Sequence, residues 1–305
     1  MNLFISRKYY QIVGSLLTIC FFILSSCRNN KVDYISYYNK VNFIDSIYRL
    51  KNDTLTALKQ YKKLFRKYPP KNDERMEEYE NYIKFSDKYN RNFGGKKSLY
   101  KLIPLVAPYW KFKREDSEFF KLYEKYGIDS TTVEQKIIDW KKSLNRQLID
   151  SFRIAFIRDQ LRDSITGEQS FYNFRKNAKL LKWTLKSFGY PSMQKIGLET
   201  EDGVFMPMQM YLNHMAQIED YEYFKSKLLD YVKSGDIPPR DYAEMVERYI
   251  QINHLKPVYG LKTTDAEFLE DSTIINRNRR LIGLQSIKHR RKITKEFFKK
   301  IRQTE

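Results

Sequence analysis

The longest uninterrupted hydrophobic period in this 305-residue chain spans residues 130–166. Val133, Ile137, Trp140, Leu144, Leu148, Phe152, Ala155 and Phe156 recur at three- and four-residue steps, and neither Gly nor Pro intervenes before Gly167. That spacing lays one apolar stripe along an α-helix. A single straight helix of this length spans about 50 Å at about 1.5 Å per residue. It must therefore bridge two helical regions or bend near its middle. Ser130-Thr131-Thr132 supplies a cap, with Glu134 placed to complete a capping box with Thr131. Alternating apolar and polar residues flanking hairpin turns do not occur. The expected fold is mostly α: a helical N-terminal segment joined by the long helix to a C-terminal multi-helix domain.

Breakers and caps divide the rest of the chain. Asp53-Thr54 precedes a helical pattern over 55–68, which Pro69-Pro70 ends. A second pattern covers 73–89, Gly94-Gly95 interrupts, and a third covers 117–126. Further helices are expected over 171–188, from Pro207 to residue 216, over 221–232 up to Gly235, and over 240–252 behind Pro238-Pro239. No fixed-period repeat is present. The resulting division is 1–26, 27–33, 34–129, 130–285 and a basic helix in 286–305.

The beginning of the chain carries an address. Arg7-Lys8 precede an apolar run over 12–24, and Leu24-Ser25-Ser26-Cys27 follows. A basic start, an apolar middle and small residues at the cut are the order of a secretory signal. The apolar part is shorter than the ~20 residues of a spanning helix. Leu24-Ser25-Ser26-Cys27 resembles the lipobox of bacterial lipoproteins. The resemblance implies cleavage after Ser26, lipidation of Cys27, a polar tether over 27–33, and attachment to the envelope, at the outer membrane facing the periplasm. Cys20 and Cys27 are the only cysteines, so the processed chain has no disulfide and its fold must rest on a core.

Charge narrows the partners. The chain carries a formal net charge of +19, and residues 275–305 hold eleven Lys/Arg against Glu296 and Glu305. A basic surface serves nucleic acid, anionic lipid or acidic polymer. Export removes nucleic acid and leaves membrane headgroups, an anionic polymer or an envelope protein. The 287–302 helix places Ile293, Phe297, Phe298 and Ile301 beside its lysines. It suits either contact with an anionic membrane or docking on the domain with its lysines in water.

Residues 158–284 resemble a family of bacterial domains of unknown function found in secreted and lipoprotein-type chains. The matching pieces are Arg158-Asp159-Gln160-Leu161-Arg162, Asn177 with Leu180-Leu181, Gly189-Tyr190-Pro191, Ile196-Gly197 and Leu212-Asn213-His214. Glu247-Arg248, Lys256-Pro257-Val258-Tyr259-Gly260 and Arg279-Arg280-Leu281-Ile282-Gly283-Leu284 complete them. Where family members show Tyr-Gly-Thr-Gln, this chain has Tyr259-Gly260-Leu261-Lys262, and Pro257 replaces a Gln two positions before the pair. The resemblance implies a helical domain and a polar site, and no reaction.

His214 is the leading single residue, because imidazole serves as acid, base or ligand near neutral pH. Asp159, Gln160, Arg162 and Tyr259 are its candidate companions. The competing reading is a core-edge histidine and a structural Asp/Arg pair. No metal site is expected: His214, His254 and His289 are far apart and no His-Glu-x-x-His or acidic calcium loop occurs. No cofactor is expected. Gly94-Gly95-Lys96-Lys97-Ser98 lacks the earlier glycine of a phosphate loop, and no Gly-x-Ser-x-Gly turn is present. Two functions stay open: a non-enzymatic binding or scaffolding module, and an enzyme with a polar site around His214.

Overall fold

Helix α1 (Tyr34–Lys51) is the element around which the rest is packed. Asp33 opens it by accepting hydrogen bonds from the Ile35 amide and Ser36 Oγ, and Asn52 closes it in the left-handed conformation. Tyr34, Tyr37, Tyr38, Val41, Asn42, Ile44, Asp45 and Ile47 are all buried. At 3.6 residues per turn they cover more than half the helix circumference, so α1 needs neighbours on several sides. It finds them in α2 (Thr54–Lys67), α12 (Tyr221–Ser234) and α15 (Ile287–Thr304). Two glycines allow the close approach. Gly235 (φ 75°) receives the Tyr34 ring and Gly283 (φ 88°) receives Tyr38; a Cβ at either would lie under 3 Å from the tyrosine.

The computed structural model describes residues 33–71, 77–160, 167–261 and 273–304. The signal and lipobox over 1–32 and Arg162 lie outside them. From Asp33 onward the chain is one compact unit. After α2 come α3 (Glu78–Lys88), α4 (Lys96–Val106), a 3-10 turn at Ala107–Tyr109, α5 (Trp110–Lys113), α6 (Ser117–Lys125) and α7 (Ser130–Ser143). With α1 they enclose a first core that includes Ile83, Leu99, Phe119, Tyr123, Val133 and Ile137. Full burial of each such side chain stabilises the fold by about 1.5–3 kcal/mol.

The periodic run from residue 130 is two helices. Its cap is Asp129, which accepts from the Thr132 amide, one residue before the expected serine-threonine cluster. The run breaks near its middle, where Leu144 is extended and the Asn145 amide donates to the Lys195 carbonyl at 2.8 Å. Asn145 Oδ1 then accepts from the Leu148 amide at 3.0 Å and starts α8 (Arg146–Gln160). There follow α9 (Gly167–Ser187), α10 (Met193–Ile196), α11 (Met208–Met215, with Pro207 at its N-cap), α12, α13 (Pro239–Ile252) and α14 (Thr273–Leu281). Their second core includes Phe152, Phe156, Leu181, Tyr211, Phe224 and Met245. The closing helix α15 returns to the first core through Ile293.

The mostly α expectation holds. The described residues carry one isolated bridge, between Glu199 and Phe205, and no strand. No helix among them is long and apolar enough to cross a membrane.

Candidate functional site

Three of the five polar residues singled out in the sequence meet. His214, near the end of α11, places Nδ1 2.6 Å from Oδ1 of Asp159 on α8. The Asp159 side chain is fully shielded and that of His214 is 12% exposed. Gln160 donates to Asp159 Oδ2 at 3.0 Å, and Asn177 of α9 reaches Oδ1 at 3.3 Å. The imidazole stacks on Phe174 at 4.2 Å between centroids. Asn177 is the second helix's contribution. It donates to the Ala155 carbonyl and accepts from Arg158 Nε at 3.0 Å, while its own carbonyl accepts from buried Tyr211. Burial and Asp159 push the Tyr211 phenol up while Arg158 opposes them. A carboxylate on Nδ1 fixes the imidazole and leaves Nε2 for other chemistry. The same contacts also give the buried Asp159 and Asn177 side chains hydrogen-bond partners across α8, α9 and α11.

Tyr259 belongs to another network. Its amide and that of Val258 donate to the buried Glu247 carboxylate on α13, with Val258 at 2.9 Å, and its carbonyl accepts from Arg279 of α14 at 2.7 Å. Glu247 and Arg279 thus clamp the Val258–Leu261 loop from two sides. Burial and the neighbouring Tyr242 hydroxyl push the Tyr259 phenol up, so it stays protonated. Among the described residues no hydrogen bond or ring contact joins Tyr259 to His214.

A concavity lies elsewhere among the described residues, and sequence reasoning missed it. A groove of about 470 Å³ is lined by Trp110, Lys111 and Arg114 at the α5 end, Trp140 and Lys141 of α7, Arg146 of α8, and the loop from Gly197 to Gly203. None of His214, Asp159, Gln160 and Tyr259 lines it. Exposed ion pairs reach the loop from its neighbours: Lys111 to Glu199 at 3.2 Å, Arg146 to Glu201 at 2.9 Å, and Arg153 Nε to Asp202 at 2.7 Å. Hydrogen bonds from Arg153 and Thr200 hold the Asp202 carboxyl far below the usual carboxylate range. Val204 and Thr200 close the turn on themselves. Trp140 Nε1 donates to Gln194, whose amide donates in turn to the Pro104 carbonyl at 2.8 Å. α10 thereby fastens the second core to the first beside the groove. A legible signal existed: Glu199, Glu201 and Asp202 cluster within four residues of a chain of strongly basic balance.

The groove's lining carries four cations and two carboxylates. Lys141 is exposed and has no acidic partner among the described residues. Arg114 meets only its neighbour Glu115, both well exposed, and such pairs contribute about 0–1 kcal/mol. Its volume falls in the range of ligand clefts. Among the described residues no group of three His, Cys, Asp or Glu side chains is placed to hold a metal ion.

The chain matches no family model, no curated protein and no solved structure. The resemblance over residues 158–284 thus has no family model, relative or solved structure behind it. Within the fold Asp159 meets Asn177 and His214, and Glu247 and Arg279 meet the backbone of Tyr259.

Proposed function

We propose that this chain is a lipoprotein of the cell envelope, tethered through lipid on Cys27, whose helical domain binds an anionic polymer in the Trp110–Trp140 groove. The tether is read from Leu24-Ser25-Ser26-Cys27. The groove is the observation that supports binding. Two indoles offer flat, amphipathic surfaces to a sugar or polymer backbone. Lys111, Arg114, Lys141 and Arg146 offer charge-assisted hydrogen bonds to its carboxylates or phosphates. The exposed Lys111–Glu199 and Arg146–Glu201 pairs exchange partners at little cost. Titrating residues 33–305 with an acidic oligosaccharide, oligogalacturonate, and with a neutral one of equal length tests this. Selective, salt-sensitive binding of the acidic chain is expected. Equal response to both, or none to either, overturns it. Labelled palmitate should enter the wild-type chain and not Cys27→Ser; equal labelling of both, or none of the wild type, overturns the lipid tether separately.

A second reading is acid–base catalysis at His214. In its favour stands the 2.6 Å contact with a fully shielded Asp159. Thermal shifts across a metabolite library test it: a ligand that stabilises the wild type and not His214→Ala supports catalysis there, and equal shifts for both remove His214 from any site.

A further inference from the structure

α15 has two unlike faces. The inner face holds it to the fold. His289 Nε2 meets Asp45 Oδ2 at 2.6 Å, Ile293 is buried in the first core, and Glu296 pairs with Arg49. These anchors recur at steps of four and three. The outer face carries Lys288, Lys292, Lys295, Lys299 and Arg302, all exposed. At 3.6 residues per turn these five fall within an arc of about 80° and extend over about 21 Å. Glu296 is the one acid in α15, and its contact with Lys292 at 3.3 Å lies at the stripe's edge. Phe298 flanks the stripe and is 47% exposed.

A cationic row bordered by an apolar ring is the composition of helices that rest in a lipid interface. Position agrees, and this part rests on the lipidation reading. Five residues lie between Cys27 and Asp33, and the six steps reach about 20 Å when extended. The start of α1 is thereby kept within about 20 Å of the bilayer, and α15 packs on the later half of α1, at Asp45 and Arg49, from about 18 Å along the axis. A soluble polymer gains nothing from that proximity. A membrane surface does, because tethering raises the stripe's effective concentration there.

We propose that the Lys288–Lys292–Lys295–Lys299–Arg302 face of α15 lies against anionic phospholipid headgroups and sets how the domain stands on the membrane. The groove then faces its ligand in a fixed attitude.

The untethered unit, residues 33–305, contains both cores whole and is the material for the test. Deleting α15 is a poor variant, since it removes Ile293 and His289 from the interior. Lys288→Gln, Lys292→Gln and Lys295→Gln together alter only exposed groups. Sedimentation uses vesicles of equal parts phosphatidylglycerol and phosphatidylethanolamine, against phosphatidylcholine alone. The wild type should bind only the anionic vesicles, and more weakly as salt rises. The triple variant should lose about a hundredfold in affinity, each surface cation contributing a similar factor. Undiminished binding by the triple variant, or binding by the wild type that ignores salt, overturns the proposal. So does binding to soluble polyglutamate as tight as to vesicles, which would assign the stripe to an acidic polymer. Cys27 is absent from this assay, so failure here leaves the tether and the groove standing.

Discussion

Asp45 Oδ2 and His289 Nε2 lie 2.6 Å apart with both side chains almost wholly shielded, joining the first described helix to the last. Asp45 also holds Arg49 Nε at 2.8 Å, which in turn reaches Glu296. Removing one member strands the others in a low-dielectric interior. Asp45→Ala should therefore cost about 3–5 kcal/mol in urea unfolding, the range for breaking a buried ion pair. A midpoint unchanged from wild type would show that α15 is held by its apolar contacts alone.

Asp159 and His214 should behave as a coupled pair. In a double-mutant cycle of Asp159→Ala and His214→Ala, the coupling energy should exceed about 1 kcal/mol, since neighbours in one network are not additive. Oligogalacturonate affinity should be untouched by His214→Ala, because His214 does not line the groove. Additive stability losses would contradict the network.

Glu80 gives the fold an acid-sensitive contact. Burial opposes its ionisation, but Lys113 at 2.5 Å and Lys84 at 2.7 Å outweigh burial and hold the carboxyl below its ordinary 4.5. The contribution is then complete above the unfolded value and fades as pH falls through the lower folded one. Glu80→Gln should cost about 3 kcal/mol near neutrality, the low end for a buried pair because Lys84 is partly exposed. The gap between variant and wild type should close as pH drops below about 4. A gap that stays constant down to that range would contradict the assignment.

Gly235 and Gly203 separate two reasons for glycine. Both have positive φ, 75° and 86°, yet a Cβ at Gly235 would sit 2.5 Å from the Tyr34 ring while one at Gly203 meets nothing within 4 Å. Gly203→Ala should cost about 1–2 kcal/mol, the conformational part alone. Gly235→Ala should cost clearly more, as overpacking adds about 1–3 kcal/mol. Equal thermal shifts for the two would contradict the close approach of α1 to α12.

What could be read in the sequence was what is decided locally. Asp53 caps α2, Gly235 ends α12 and Pro239 starts α13 as their residue types require. α4 was hidden by Pro104, which sits inside it. The break at Asn145 was legible only as a bend, because it depends on the carbonyl of Lys195, fifty residues on. The partnership of Asp159 with His214 was anticipated from residue type. Its dependence on Asn177 and Phe174 was not, since both come from a helix whose facing side only packing decides. The groove's acidic loop left a trace in the sequence, but its walls did not: Trp140, Gln194 and Pro104 are brought together across ninety residues.

The groove carries the functional reading, so the decisive measurement is calorimetric titration of oligogalacturonate into residues 33–305, compared with Trp140→Ala and Lys141→Ser. Saturable binding by the wild type is predicted, weakened about tenfold or more in each variant, as losing one aromatic surface or one charge-assisted contact requires. Wild-type affinity in both variants, with folding intact, would contradict the account.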